Sequence, residues 1–70
     1  MPRLPGVNHF DAVRALRKAG FTVVRQSGHI VMSDGKRIAI IPRNNPVDAV
    51  TMGTIVRNAG LTNEQFRKLL

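Results

Sequence analysis

The stretch Arg25-Gln26-Ser27-Gly28-His29-Ile30-Val31 places an imidazole directly after a Ser-Gly pair and at the head of an apolar, β-branched run. Ser-Gly is turn chemistry and a β-branched run is strand chemistry, so His29 is expected at the start of a strand. Eleven Lys and Arg against four Asp and Glu give a formal charge of +7 and an isoelectric point near 11.8. Such a field concentrates polyanions and speeds their encounter, which makes nucleic acid the first partner class to consider and an acidic protein the second. RNA carries its own nucleophile, the 2′-hydroxyl. A protein that cleaves it must remove that proton, stabilise charge on phosphorus and protonate the leaving oxygen. Imidazole as a group exchanges a proton near neutral pH and suits the first or last role, worth ~10²–10⁴ in rate. Cations aimed at the phosphate add to this. The candidates that a hairpin brings near His29 are Arg25, Lys36, Arg37 and Arg43.

Each candidate also has a plainer reading. His29 is equally a partly exposed strand residue with no task. His9 falls in the first turn of a helix, where a protonated imidazole is disfavoured, and reads as structural. Ser27 is a turn residue, because no acid-supported Ser-His arrangement accompanies it. Asp11, Asp34, Asp48 and Glu64 occupy cap or turn positions without clustering, so neither a divalent metal site nor a cofactor is expected. Three Phe with no Tyr or Trp give little support for base stacking on an aromatic platform. The absence of Cys excludes disulfides and thiolate zinc sites together.

The elements that must position His29 follow from periodicity and punctuation. Residues 1–7, with Pro2, Pro5 and Gly6, read as an irregular lead-in. A helix is expected over 9–19, capped by Asn8, striped by Phe10, Val13 and Leu16 with Ala12, Ala15 and Ala19, and stopped by Gly20. Strands follow at 21–26, at 29 to 32 or 33, and at 37–41, joined by Ser27-Gly28 and by an Asp34-Gly35 hairpin, with Pro42 as terminator. A three-residue second loop that includes Lys36 pairs Ser33 with Arg37. It groups Ile30, Met32, Ile38 and Ile40 on a buried face and turns His29, Val31, Ser33, Arg37, Ala39 and Ile41 outward, with Arg37 beside His29. Residues 46–49 suggest a single helical turn capped by Asn45. A second helix is expected over 52–59, capped by Thr51 and stopped by Gly60. Thr62 and Gln65 form a capping box that opens a last helix from 63, burying Phe66 and Leu69 or Leu70.

The expectation is therefore one α+β domain: a three-stranded antiparallel sheet in α-β-β-β-α order with a short extra C-terminal helix and the helices on one face. That order is the order of a double-stranded-RNA-binding-domain-like fold. A chain of 70 residues buries only about 60% of its unfolded surface, so its stability margin is thin. No apolar stretch is long enough for a membrane span and no signal-peptide core precedes the first helix, so a cytoplasmic protein is expected.

The block Gly20-Phe21-Thr22-Val23-Val24-Arg25-Gln26, then Gly28-His29, Asp34-Gly35-Lys36-Arg37, Ile41-Pro42 and Ile55-Val56-Arg57-Asn58-Ala59-Gly60-Leu61 resembles the HicA family of toxin messenger-RNA interferases across residues 8–66. The resemblance implies a small endoribonuclease that works without a metal ion through one strand-borne histidine, here His29, and is neutralised by a HicB antitoxin. It also implies a homodimer or a hetero-oligomer with that antitoxin. Two places depart from the family's usual pattern. Ser27-Gly28 stands where Gly-Ser is usual, and Asp48-Ala49-Val50-Thr51 stands where Lys-Pro-Gly-Thr is usual. Two further readings of the same residues are a non-catalytic RNA-binding module and a basic interaction protein whose target is an acidic partner.

Overall fold

The structure, a computed structural model, describes residues 6–43 and 46–70. The first helix, α1, spans His9–Lys18. It begins where the Asn8 side chain accepts the Phe10 N–H at 2.9 Å, which satisfies one of the orphan donors of the first turn. It ends at Gly20, whose φ of 100° is available to glycine and costly to other residues. Its buried stripe is His9, Ala12, Ala15 and Leu16, with Val13 and Ala19 half-buried. Phe10, expected in that stripe, is instead 64% exposed. The reason is helical spacing: counting back three residues from Ala12 and seven from Leu16 reaches His9, not Phe10. The Phe10 ring lies outside against the His9 ring at 4.1 Å between centroids.

The three strands β1 (Thr22–Gln26), β2 (His29–Ser33) and β3 (Ile38–Pro42) form one antiparallel sheet in the order β1-β2-β3. The α+β layout is thus as the periodicities predict, and the second hairpin corrects the expected register. Ser33 pairs with Ile38, Met32 with Ala39, Ile30 with Ile41 and His29 with Pro42. The loop is one residue longer than expected because the Asp34 carboxylate accepts the backbone N–H groups of both Lys36 (2.9 Å) and Arg37 (2.7 Å), holding Arg37 out of the strand. That shift turns β3 over. Ala39 and Ile41 join Ile30 and Met32 in the core, while Ile38 and Ile40 face outward.

The next helix, α2, spans Ala49–Asn58 and starts earlier than expected. Its cap is Asp48, not Thr51: the Asp48 carboxylate accepts both the Thr51 N–H (2.8 Å) and the Thr51 hydroxyl (3.0 Å). A carboxylate at that end also meets the positive pole of the helix dipole, which decides the competition between the two residues. No single turn forms over 46–49. Val47 makes a two-way backbone bridge with Val7, through Val7 N–H to Val47 O at 2.9 Å and Val47 N–H to Val7 O at 2.7 Å. Val7 is therefore an ordered and buried end to the lead-in. The expected cap at Asn45 and the rest of the lead-in at 1–5 lie outside the described residues. Thr62 and Gln65 form both halves of the expected capping box at the start of α3, Asn63–Leu69.

The core lies between the sheet and the helices, with Leu16, Ile30, Met32, Ile41, Met52 and Phe66 fully buried. No helix among the described residues is long and apolar enough to cross a membrane. Among the described residues the outward face of the sheet carries no helix, and on it stand Arg25, His29, Val31, Ile38 and Ile40.

Candidate functional site

His29 is the first residue of β2 and its side chain is exposed on the open face of the sheet. The turn before it is drawn tight by the Ser27 N–H donating to the His29 carbonyl at 3.1 Å. Gly28 needs no special backbone freedom there: its φ is not positive, and a Cβ added to it would meet no heavy atom within 4 Å. The Ser-Gly order thus leaves the start of the strand well defined.

Pairing decides which cations share the face with His29. Arg25 pairs with Val31, two residues beyond His29 on the same face, so Arg25 is a diagonal neighbour. Such neighbours stand ~7–8 Å apart at the backbone, within reach of a long side chain. Pro42 sits directly across from His29, and the exposed Arg43 follows it. The fold therefore gathers Arg25 and Arg43 at the His29 end of the sheet.

It does not gather Lys36 and Arg37 there. Both lie in the loop at the opposite end of β2 and β3, and Arg37 is five residue steps from Pro42, about 16 Å at the usual rise. The expected placement of Arg37 beside His29 fails because a shared face is not adjacency: even the shorter loop pairs Arg37 with Ser33, at the far end of β2 from His29, and the observed register moves it one residue further. Arg37 instead lays its guanidinium against Gly60, just past the end of α2, so closely that a Cβ on Gly60 would come within 3.0 Å of Arg37 Nε. A cation at that place meets the negative pole of the helix. In the same loop the Asp34 carboxyl is held below the ordinary aspartate value of 3.8, first by the Arg37 backbone N–H and then by that of Lys36.

From the sequence, apolar residues are expected on the open face, Val31 and Ile41 among them, with Ile38 and Ile40 in the core; it is these last two that stand out, 58% and 53% exposed. The signal was present in Ile38-Ala39-Ile40-Ile41, apolar at every position, since a strand with one covered face must leave alternate residues out. The other imidazole, His9, is buried in α1 on the helical side. Among the described residues no three His, Asp or Glu side chains gather into a group. A recess of about 340 Å³ lies between the start and the end of the chain, lined by Gly6, Asn8, Asp11, Arg14, Leu69 and Leu70, and includes none of the residues around His29.

What the fold and the site define is a small basic α+β domain whose open sheet face presents one imidazole, with Arg25 diagonal to it on that face and the exposed Arg43 just past the end of the facing strand. The chain matches no family model, no curated protein and no solved structure.

Proposed function

We propose that this chain is a metal-independent endoribonuclease acting on messenger RNA in the cytoplasm, the toxin of a toxin–antitoxin pair, with His29 as its catalytic residue. The observation that supports this reading is the position of His29, exposed on the open sheet face diagonal to Arg25 and at the end of the sheet where Arg43 follows β3, on a chain of charge +7. In this reading the His29 imidazole takes the 2′-hydroxyl proton or returns one to the leaving oxygen, and the two guanidiniums bind the phosphate as charge builds on it. Lys36 and Arg37, at the far end of the sheet, lie outside this catalytic group. The toxin role and a HicB-like antitoxin partner rest on the family resemblance of the sequence. Purified protein in EDTA should degrade RNA, and His29→Ala should abolish the cutting while circular dichroism shows an intact fold. Cutting that survives the substitution would sink the proposal.

One observation favours a second reading, an RNA-binding module without catalysis. The strand residues of the open face include no carboxylate and no second imidazole, so His29 has no partner there for the other proton transfer. That version predicts binding unchanged by His29→Ala, with log affinity falling linearly against log salt.

A further inference from the structure

The outer edge of β3 is an unpaired strand edge, and its chemistry is legible from the pairing alone. The Asp34 N–H donates to the Arg37 carbonyl at 3.3 Å, which makes Asp34 and Arg37 a bonded pair. Antiparallel pairs alternate between bonded and non-bonded, so Ala39 and Ile41 bond to β2 while Ile38 and Ile40 turn their N–H and C=O groups away from it. Pro42 fits this count: it stands at a non-bonded position, where the missing N–H costs the ladder nothing. Among the described residues no strand pairs with that edge. The other edge of the sheet is different, because β1 breaks its register between Val23 and Arg25, and a bulge of this kind spoils an edge as a template. The β2–β3 register runs without a break from His29↔Pro42 to Ser33↔Ile38. The residues with free backbone groups are also those whose side chains are more than half exposed.

We propose that the outer edge of β3 binds an extended segment of another protein as a fourth strand, and that this segment is apolar at alternate positions and acidic at both ends. The backbone of Ile38 and Ile40 supplies the pairing, their side chains the apolar contact, and the exposed Arg43 past one end of the strand the main charge complement, with Arg37, whose guanidinium lies against Gly60, adding to the positive field at the other end. A second copy of this chain is the wrong occupant. Antiparallel pairing of two β3 edges sets Arg37 of each copy towards Arg43 of the other, on chains of charge +7 apiece. The inference does not depend on His29 acting on RNA.

The test uses the full chain, isotope-labelled, and the synthetic peptide Glu-Val-Thr-Val-Thr-Val-Glu, whose valines fall beside Ile38, Ile40 and Pro42 in antiparallel register. Without peptide, the Ile38 and Ile40 amides should exchange with solvent faster than those of Ala39 and Ile41. With it, Ile38 and Ile40 should become protected while the amides of β1 do not change. Replacing both glutamates of the peptide by lysine should weaken binding by at least about tenfold. Ile40→Pro removes an outward N–H without removing a bond to β2 and should abolish binding. Arg43→Glu, at an exposed position beyond the strand, should weaken the acidic peptide and favour the lysine one, which keeps the test decisive if the proline variant does not fold. The proposal is overturned if millimolar peptide leaves Ile38 and Ile40 unprotected, if both peptides bind alike, or if protection appears on β1 instead. It is equally overturned if single-stranded RNA protects these amides and the peptide does not, or if sedimentation shows the chain dimerising through this edge.

Discussion

Gly60 offers a test that separates backbone from side-chain causes. Its φ is +77°, a left-handed conformation, and a Cβ there would collide with the Arg37 guanidinium. Placing an L-residue in that region costs about 1–2 kcal/mol. The collision adds less, because a guanidinium is the far end of a flexible side chain and can swing aside. Gly53 is the internal control. It lies inside α2 with open space where its Cβ would be, so alanine there should gain about 0.5–1 kcal/mol of helix stability. In a domain of this size each kcal/mol moves the melting temperature by roughly 4–8 °C. Thermal unfolding followed by circular dichroism should therefore show Gly53→Ala melting above the wild type and Gly60→Ala well below it. Gly60→Ala should remain destabilised when it is made in an Arg37→Ala background. If the deficit vanishes there, the cost lay in the side-chain contact. If Gly60→Ala melts with the wild type, the left-handed backbone argument is wrong.

Other perturbations discriminate among the arginines and the caps. Arg25→Ala and Arg43→Ala should each slow RNA cleavage by about tenfold, whereas Arg37→Ala should leave the rate within about twofold, as expected if preorganised charge matters only near the phosphate; the assay is a time course on a labelled transcript. Asp34 and Asp48 are both held below 3.8, Asp48 first by the Thr51 N–H and then by its hydroxyl. A folded-state value below the unfolded one contributes stability that is complete above pH 3.8 and lost as pH falls through the folded value. The melting temperature should therefore drop on acidification in that range, and Asp34→Asn and Asp48→Asn should each flatten the drop. Asp48→Ala should lower the melting temperature more than Thr51→Ala does, measured at neutral pH, because Asp48 is the residue that caps α2.

Element order and type were legible in this sequence because the punctuation is strong: Asn8 and Gly20 bound α1, Asp34-Gly35 turns the second hairpin, and Thr62 with Gln65 opens α3. The register of β3 was not. Ile38-Ala39-Ile40-Ile41 is apolar on both faces, so either register buries hydrophobic side chains, and the choice fell to two hydrogen bonds from the loop to Asp34. The site divides likewise. Arg25 and Arg43 could be placed near His29 because the first hairpin and Pro42 fix them, whereas Arg37 was grouped with His29 by face alone although either loop length leaves it at the Ser33 end of the sheet. Phe10 and His9 were exchanged for a related reason, since composition weighs a residue's character and helical geometry weighs its angle.

The bare edge of β3 also has a colloidal consequence. Ile38–Pro42 is a short uncharged segment rich in β-branched residues, the kind that seeds sheet-to-sheet association. The net charge of +7 protects it less than its size suggests. At cellular salt the screening length is about 8 Å, while even the thinnest dimension of the molecule is 16 Å, so lysines and arginines on the helical side do not reach the edge. Solubility there is guarded locally by Arg37 and Arg43, one at each end of the segment, in the manner of gatekeepers. Arg37 is already engaged against Gly60, so the guarding of this edge falls chiefly to Arg43.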